Sequence, residues 1–374
     1  MAFCAEALNI RLTKSWPSIA MPIMALTRLL LTNFRNHALL SLQPSAQFVV
    51  LHGANGTGKT NILEAISLLV PGRGLRRAGL SEMVRSDGDG GFVVSAEIGD
   101  VLLGTGVNAV APDRRKVRIN GANASINGLA EWLSVIWLTP SMDRLFADGA
   151  GARRRFLDRL VLALEPTHAK HSGRYEKAVQ QRNKLLSGSS PDPVWLDALE
   201  AQMADSGAAI ANARQRMIAA LIAKLDLAPA GPFAVPDVAL DIGTLHPTAD
   251  LREIWKKSRR RDASAGRTLT GPHRADLVVH NRANGQVAER SSTGEQKALL
   301  LSLILAHAAL VAEQRGVPPI LLLDEVAAHL DPTRRAALFE RLAATGAQVW
   351  MTGTEAELFD GIGSAAELIA VGHI

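Results

Sequence analysis

The sequence is short of several residue types, and each shortage excludes a class of protein. Its 374 residues include one cysteine, Cys4, which excludes a disulfide framework and a thiolate metal site. Aromatic residues make up 4% of the chain, which argues against a stacking platform for single-stranded nucleic acid. No apolar run reaches the ~18 residues that cross a bilayer, since the longest, 298–312, contains Ser302 and His307. We therefore expect no membrane partner.

The remaining composition is that of a globular protein, with 47% apolar and 21% charged residues. At ~150 residues per domain the length suggests two or three domains. Lys and Arg outnumber Asp and Glu by 41 to 36, which mildly favours a polyanionic partner. The lack of cysteine pairs fits a reducing compartment, so we expect a cytoplasmic protein. Residues 1–24 lack the apolar centre of a signal peptide and are expected to be a disordered or extra N-terminal extension, with a short edge strand as the alternative.

The pattern along the chain predicts an α/β fold that a helical segment interrupts. Residues 152–228 are almost entirely helical in pattern, with breaks at Pro166 and 187–193, whereas strand and turn signals return after Pro236. Predicted strands lie at 27–31, 38–42, 48–51, 91–98, 101–107, 117–119, 134–138, 320–323 and 348–352, and predicted helices at 60–70, from 292 and at 332–344. Leu196, Met203, Ile210 and Met217 repeat every seven residues, as in a helix–helix seam or a plain helical bundle.

The segment GANGTGKT matches the phosphate-binding pattern GxxxxGK[ST], between a predicted strand and a predicted helix. We call it the phosphate loop; it consists of Gly53, Ala54, Asn55, Gly56, Thr57, Gly58, Lys59 and Thr60. Its glycines let backbone N–H groups turn toward phosphate oxygens, and the helix N-terminus adds positive charge. We expect Lys59 to reach the β- and γ-phosphates of ATP and the Thr60 hydroxyl to bind Mg²⁺.

A second acidic motif completes this predicted site. The run PPILLLDE contains an all-apolar strand, which is typical of a buried parallel sheet. Asp324 and Glu325 follow directly at the end of this strand. Asp324 is expected to hold Mg²⁺ through water, and Glu325 to orient or deprotonate the attacking water. The segment SSTGEQ then opens a helix whose N-terminus is a second anion site. Since one chain cannot easily bring both sites to one phosphate, this helix end is expected either to cap a partner's γ-phosphate or to be an ordinary capping box of Ser292 and Glu295.

The order of these motifs resembles the ABC-type ATPase heads of the SMC family, and more narrowly the RecF family of bacterial recombination mediators. Other segments that carry the resemblance are LTNFRNH at 31–37, KTNILEAI at 59–66, RRRFLD at 153–158, GPHRADL at 271–277 and AHLD at 328–331. The resemblance implies an SMC-like, ABC-type P-loop ATPase head in two pieces, residues 25–145 and 265–374. It also implies an inserted helical arm domain at residues 146–264.

The resemblance also implies roles for further residues. Ser292 and Gly294 would contact ATP in trans, and Asp331 would communicate across the dimer. Arg35 and Asn36 would line the nucleotide. The remaining assignments stay open: Thr352 or Thr354 would occupy the switch position, and 140–143 stands at the Gln-loop position without a glutamine.

The function implied by the resemblance is ATP-dependent DNA binding in recombinational repair, replication-fork recovery and the SOS response. ATP would join two heads on duplex DNA, with gap junctions among the candidate targets, and weak, DNA-stimulated hydrolysis would release them. RecR and RecO would be partners in loading RecA. The alternatives are the nucleotide-binding subunit of an ABC transporter and a small-molecule P-loop kinase. Thr293-Gly294-Glu295, where transporters favour Gly-Gly-Gln, and the helical insertion argue against the transporter.

Three basic clusters could contact a DNA backbone or be solvated surface. They comprise Arg73, Arg76 and Arg77; Arg114, Arg115, Lys116 and Arg118; and Lys256, Lys257, Arg259, Arg260 and Arg261. Arg153–Arg155 begins a helix, so ion pairing within the fold is as good an explanation there as DNA contact. The few aromatic residues favour duplex over single-stranded DNA.

Overall fold

The computed structural model describes residues 25–229, 231–243 and 250–372, so the expected extension at 1–24 lies outside the described residues. The strands are β1 (Leu26–Phe34), β2 (His37–Leu42), β3 (Phe48–His52), β4 (Phe92–Ile98), β5 (Val101–Asn108), β6 (Ala111–Ile119), β7 (Ala122–Ala124), β8 (Val135–Leu138), β9 (Pro236–Asp241), β10 (Asp276–Asn281), β11 (Ile320–Leu323), β12 (Val349–Gly353) and β13 (Ala366–Ala370). The helices are α1 (Lys59–Ser67), α2 (Leu80–Met83), α3 (Leu129–Trp132), α4 (Ala150–Leu164), α5 (His168–Leu186), α6 (Pro193–Asp226), α7 (Leu251–Ser264), α8 (Thr293–Arg315) and α9 (Pro332–Ala344).

A parallel sheet of five strands, ordered β13-β3-β12-β11-β8, lies at the centre of the head. Its inner strands are apolar on both faces, because each face meets a separate core. Along β3, Phe48 and Val50 pack with α4, α6, α8 and α9, whereas Val49 and Leu51 pack with α1 and the second sheet. All strands point the same way, so the residues after β3, β11 and β12 meet at one edge of the sheet.

The second sheet is antiparallel, with strand order β2-β1-β4-β5-β6-β7. Its strands alternate buried and accessible residues, as expected for a sheet with one face on the core. The β1–β2 turn, Arg35-Asn36, lies beside the phosphate loop. Asn120 and Gly121 both have positive φ, 49° and 82°, in the β6–β7 turn, which confirms the predicted Asn-Gly hairpin.

Long helices form the arm. Helices α5 and α6 pack along each other, and the heptad residues Leu196, Met203, Ile210 and Met217 are all buried. Arg182, on α5 and fully buried, donates hydrogen bonds to Glu200 Oε1 on α6 (2.9 Å) and to Asp262 Oδ2 on α7 (2.9 Å). This buried ionic network ties three helices together.

Helix α7 corrects the sequence analysis, which predicts strands and turns after Pro236. The positions that α7 buries are Trp255, Ser258 and Asp262, which share one helical face. Two of these three are polar, so a search for apolar residues misses the helical period. Their hydrogen bonds to Arg182 and to each other compensate for their burial.

Most other predicted elements are confirmed, including the strand at 320–323, the helix at 332–344 and the helical region broken near Pro166 and 187–193. Strands β9 and β10 pair antiparallel across the expected boundary between residues 264 and 265. The exact division into head and arm therefore stays a prediction.

Helix α8 has the length and apolar composition of a membrane span, but 78% of its most apolar window is buried inside the protein. It crosses the core between the parallel sheet and the arm helices and contacts α4 and α6. Its apolar character is therefore that of a core helix.

Candidate nucleotide-binding site

The phosphate loop turns tightly between β3 and α1, and its three glycines make that turn possible. Gly53, Gly56 and Gly58 have φ of 141°, 87° and 100°, conformations that side chains disfavour. A Cβ on Gly53 would lie 2.5 Å from Val371 O, so the C-terminal segment also requires glycine there. The buried Lys59 side chain curls over the loop, and its Nζ donates to Gly53 O (2.6 Å) and Ala54 O (2.8 Å). The loop therefore has the shape and the cation expected of a phosphate cradle.

The β1–β2 turn braces the loop from the side. Asn36 Nδ2 donates to Thr57 O (3.1 Å), and Asn36 Oδ1 accepts from Asn61 Nδ2 (2.7 Å). His37 Nε2 lies 3.2 Å from Gly58 O, and burial lowers the His37 pKa below its ordinary value. A Cβ at Gly58 would meet both side chains at 2.5–2.7 Å, so this position accepts only glycine. His37 was not among the site residues predicted from the sequence, and its place beside Asn36 in the LTNFRNH segment was the only signal for it.

Arg35, expected to line the nucleotide, makes a bidentate pair with Glu64 of α1, at 2.9 and 2.8 Å, and donates to Glu82 O. Glu64 is fully buried and also accepts from Arg76 Nη1 (3.1 Å), which bonds to Asn61 as well. The structure thus brings Arg35 to α1 and not to the loop backbone, and a nucleotide contact by Arg35 stays a prediction. Glu64 escaped the sequence analysis because a buried carboxylate looks like any exposed helix residue until its partners are known.

The two acidic residues follow β11, as the sequence analysis expects. Asp324 is 6% exposed, and its Oδ1 accepts from Thr60 Oγ1 (2.9 Å) and from Thr352 Oγ1 (2.8 Å). Burial raises the pKa of Asp324, while these two hydroxyl hydrogen bonds act in the opposite direction. Thr352 ends β12, which lies between β3 and β11 in the sheet, so its hydroxyl reaches Asp324. Thr354 is exposed.

Glu325 stands next to Asp324 in a strained backbone conformation. Its φ is 55°, which is costly for a residue with a side chain, and its N–H donates to Thr352 Oγ1 (2.9 Å). The Glu325 side chain is half-buried, whereas that of Asp324 is buried. Such strain is typical of functional positions, where the surrounding structure holds a side chain in a required place.

These residues fit a nucleotide and a magnesium ion by the chemistry of their donors. A buried lysine and a glycine loop at a helix N-terminus suit a triphosphate. The Thr60 hydroxyl and the Asp324 carboxylate, 2.9 Å apart, are the oxygen ligands that Mg²⁺ takes beside phosphates and waters. No cluster of three or more His, Cys, Asp or Glu with metal-binding geometry occurs within 25–229, 231–243 and 250–372. The threonine and the aspartate are accordingly the candidate ligands.

The second expected anion site lies at the start of α8. Ser292 is exposed and forms a capping box with Glu295, since its Oγ and N–H both lie 2.8 Å from Glu295 Oε2. Hydrogen bonds from Ser292 lower the pKa of Glu295. Gly294 has open space around its Cβ position. In the described part of the chain, neither Ser292 nor Gly294 hydrogen-bonds to the phosphate loop of its own chain.

Two other expected residues are placed as follows. Asp331 is exposed and caps α9, accepting from Arg334 N (2.9 Å). The 3₁₀ turn Pro140–Arg144, at the Gln-loop position, presents Asp143, whose Oδ2 lies 3.7 Å from Lys297 Nζ on α8. Burial lowers the Lys297 pKa, and Asp143 and Glu325 raise it. The start of α8 is thus connected electrostatically to the acidic end of β11 in the same chain.

The basic clusters are only partly available to a ligand. Arg115 donates to Thr105 Oγ1 (2.8 Å) and to Gly72 O (2.8 Å), and burial lowers its pKa to about 10. Arg259 pairs with Asp197 and Glu200, and Arg153 pairs with Asp276. These arginines, with Arg76, stabilise the fold through these contacts, and DNA contact by them stays a prediction.

Known proteins are similar to this chain over most of its length. Residues 25–372 match the family model described as "RecF/RecN/SMC N terminal domain". The chain is 49% identical over 365 residues to the DNA replication and repair protein RecF of Mesorhizobium japonicum, covering 93% of this chain and 96% of that protein. It is 50% identical over 366 residues to the protein of the same name from Brucella suis, covering 93% and 94%.

Solved structures with this fold include that of the recombination mediator protein RecF-ATPrS in the RecFOR pathway, with a TM-score of 0.79. That structure is 24% identical and covers 95% of this chain and 97% of its own. An Smc head domain from Pyrococcus furiosus, with an extended coiled coil, matches at a TM-score of 0.53 and 16% identity, covering 92% of each chain. The expected SMC-like, ABC-type head with a helical arm is confirmed.

Proposed function

The chain belongs to the RecF family of DNA replication and repair proteins, and from this premise we propose that it is an ATPase that dimerises on duplex DNA. The observation that carries the proposal is the convergence of Lys59, Thr60, Asp324 and Glu325 at one edge of the parallel sheet. A membrane transporter subunit is not favoured, because the similar proteins act in replication and repair.

The chain's own residues would bind ATP and Mg²⁺ as follows. Lys59 Nζ would exchange its two loop carbonyls for phosphate oxygens, which a flexible point charge does readily. Thr60 and Asp324 would hold Mg²⁺, directly and through water. The cation would also relieve the cost of the buried Asp324 carboxylate, whose pKa burial raises. Mg²⁺ supplies charge neutralisation at the β- and γ-phosphates.

Hydrolysis would depend on Glu325. Its left-handed backbone is held by the Thr352 hydroxyl, and its side chain is less buried than that of Asp324, so one acid would serve the metal and the other the attacking water. Thr352 contacts both residues and would keep them apart as a positioning residue. We propose that ATP hydrolysis is slow and is stimulated by DNA.

Dimerisation would complete the site. The exposed N-terminus of α8, with Ser292 and Gly294, has an outward-facing anion-binding surface that its own chain leaves without a phosphate partner in the described residues. A second head, facing the first, would bring this surface to the γ-phosphate, and the exposed Asp331 would lie along the same interface. The capping box with Glu295 is compatible with this role, because backbone N–H groups of the first turn stay free for an anion.

Duplex DNA would bind the joined heads through backbone phosphates, in the cytoplasm. The relatives are replication and repair proteins, and a solved relative is described as a recombination mediator in the RecFOR pathway. From family membership we also propose that RecR and RecO are partners in loading RecA. We propose on the same ground that the protein is recruited to gap junctions.

The direct test is fluorescence anisotropy of a labelled duplex at several salt concentrations, with ATP and Mg²⁺ and without nucleotide. ATP should tighten binding in the wild type, because the dimer presents twice the positive surface, and affinity should fall with salt by about 0.9 log units per log unit for each phosphate contacted. Lys59→Ala is the control, since it removes the phosphate cation and should bind the duplex equally weakly in both conditions. Equal affinity with and without ATP in the wild type would contradict the proposal.

A further inference from the structure

A cavity of about 350 Å³ opens between the head and the arm, away from the nucleotide site. Its walls come from the loop after α1, the first turns of α4, the inner faces of α5 and α6, and the 3₁₀ turn Pro272–Arg274. Two of the segments that carry the family resemblance, RRRFLD and GPHRADL, meet here, and the nucleotide site uses neither.

Four guanidinium groups line this cavity, those of Arg77, Arg154, Arg155 and Arg214. The carboxylate of Asp158 neutralises Arg214 through a bidentate ion pair, in which Arg214 Nε and Nη2 each lie 2.8 Å from a carboxylate oxygen. The other carboxylate that lines the cavity is that of Glu176, so four guanidinium groups share two carboxylates. In the described part of the chain, neither Arg77 nor Arg155 forms an ion pair, so the cavity carries unneutralised positive charge.

The arginines of α4 are concentrated where a helix least favours cations. A Cβ built on Gly151, in the first turn, would lie 3.2 Å from Arg155 Nη1 and 3.8 Å from Arg154 Nη2. Both side chains therefore fold back toward the positive end of the helix, which has no acidic residue in its first turn and no capping side chain. Like charges gathered at a helix N-terminus repel one another, and an anion between them removes that cost.

The electrostatics of the wall agree with this geometry. Burial lowers the pKa of Arg77, and Arg155 and Arg73 lower it further, while Glu176 raises it. Burial also lowers the pKa of Arg154, as do Arg214 and Arg274, while Asp276 and Asp158 raise it.

A neutral donor completes the lining. Ser172 Oγ is buried in the cavity wall and has no hydrogen-bond partner among the described residues. Another part of the wall is held in place by the Tyr175 hydroxyl, 2.7 Å from His273 Nδ1, and by His273 Nε2, 2.9 Å from Thr268 O. The free hydroxyl and the guanidinium groups are hydrogen-bond donors of the kind that bind a tetrahedral oxyanion, and the fixed wall holds the cavity in shape.

We infer that this cavity, at the junction of head and arm, binds a phosphate group, supplied by the backbone of duplex DNA. The identification of duplex DNA as the ligand rests on the proposed function, whereas the presence of a phosphate-binding site does not. Its position couples the two parts of the molecule, because Arg77 follows the phosphate-loop helix and Arg154 and Arg155 belong to the arm.

The test uses the full-length variant Arg77→Gln/Arg155→Gln and the control Arg252→Gln/Arg267→Gln, which removes two exposed arginines outside the three basic clusters. Neither pair touches the nucleotide site, so ATP hydrolysis without DNA should be unchanged in both. Duplex affinity should fall in the first variant, and its log–log salt slope should decrease by about 0.9, because the cavity holds one phosphate group. An equal loss in the control variant would overturn the inference, because it would reflect total charge alone.

Phenylglyoxal labelling, read by peptide mass spectrometry, tests the phosphate site directly and separates the two sources of phosphate. Modification of Arg77 and Arg155 is compared in wild-type protein alone, with duplex DNA and with inorganic pyrophosphate, using Arg252 as the internal control. Protection by the duplex supports the inference as stated. Protection by pyrophosphate without protection by the duplex retains the phosphate site and shifts its ligand to a small phosphate compound, even if the protein binds no DNA. Absence of protection in both conditions overturns it.

Discussion

Asp324 and Glu325 are neighbours in the chain but lie in different environments. Asp324 is buried and hydrogen-bonded to two threonine hydroxyls, whereas Glu325 is half-buried and has a positive φ of 55°. Two adjacent carboxylates can therefore hold a metal ion and a water separately. Thr352 makes this separation possible, because its hydroxyl donates to one residue and accepts from the backbone of the other.

Glu325→Gln should separate ATP binding from hydrolysis. The amide keeps the size of the side chain and cannot accept a proton, so turnover should fall by ~10²-fold or more. ATP affinity should stay near that of the wild type, since Lys59, Thr60 and Asp324 are unchanged. Steady-state phosphate release and nucleotide titration check both expectations. Wild-type turnover in the variant would assign the catalytic role to another residue.

A buried histidine should make the fold sensitive to acid. His307 Nε2 lies 2.9 Å from Leu160 O within the core, and burial lowers its pKa to about 4 from an ordinary value of 6.5. Below pH 6.5 the unfolded chain takes up a proton that the folded protein does not, so stability falls as pH falls from about 6.5 to about 4. The loss should reach about 3 kcal/mol and then level off, with no effect above pH 6.5.

Urea unfolding across this pH range, compared with His307→Gln, measures that contribution. Glutamine keeps a donor for the Leu160 carbonyl and does not titrate, so the variant should lose less stability on acidification. Burial also lowers the pKa of His37 and His273, so part of the acid sensitivity should remain. Identical pH dependence in the two proteins would contradict the assignment to His307.

At the scale of elements, the arm depends on the ionic network around Arg182. This side chain is fully buried and connects α5 to Glu200 on α6 and Asp262 on α7. Arg182→Leu leaves two buried carboxylates short of a partner and should destabilise the protein by about 3 kcal/mol. Arg216→Leu, which breaks an exposed pair with Glu165, should cost less than about 1 kcal/mol. Denaturant unfolding compares them, and equal losses would refute the structural role of the network.

Elements with apolar periodicity could be predicted from sequence, and elements with buried polar residues could not. The strand at 320–323 is four apolar residues, and the structure has it at those bounds. Helix α7 escaped prediction because its buried face includes Ser258 and Asp262. The phosphate loop could be found because its pattern is local in sequence. The contacts of Arg35 with Glu64 and of Thr352 with Asp324 could not, since they join residues far apart in the chain.

At the scale of the whole molecule, the parallel sheet gathers the nucleotide residues at one edge, while the start of α8 faces outward with Ser292 exposed. The central claim is therefore that a complete ATP site needs two chains. Lys59→Ala should lose ATP binding, because its buried ammonium is the cation of the loop. Ser292→Arg should keep ATP binding in the monomer and lose ATP-dependent dimerisation, because a bulky cation replaces the hydroxyl at the interface.

Mixing these two variants tests that claim most directly, with ATP hydrolysis as the measurement and differently tagged chains to follow heterodimers. Each variant alone should be inactive. The heterodimer contains one intact composite site, made of Lys59 from the Ser292→Arg chain and Ser292 from the Lys59→Ala chain. The account predicts that the mixture regains part of the wild-type hydrolysis. Heterodimers that form and remain as inactive as each variant alone would contradict it.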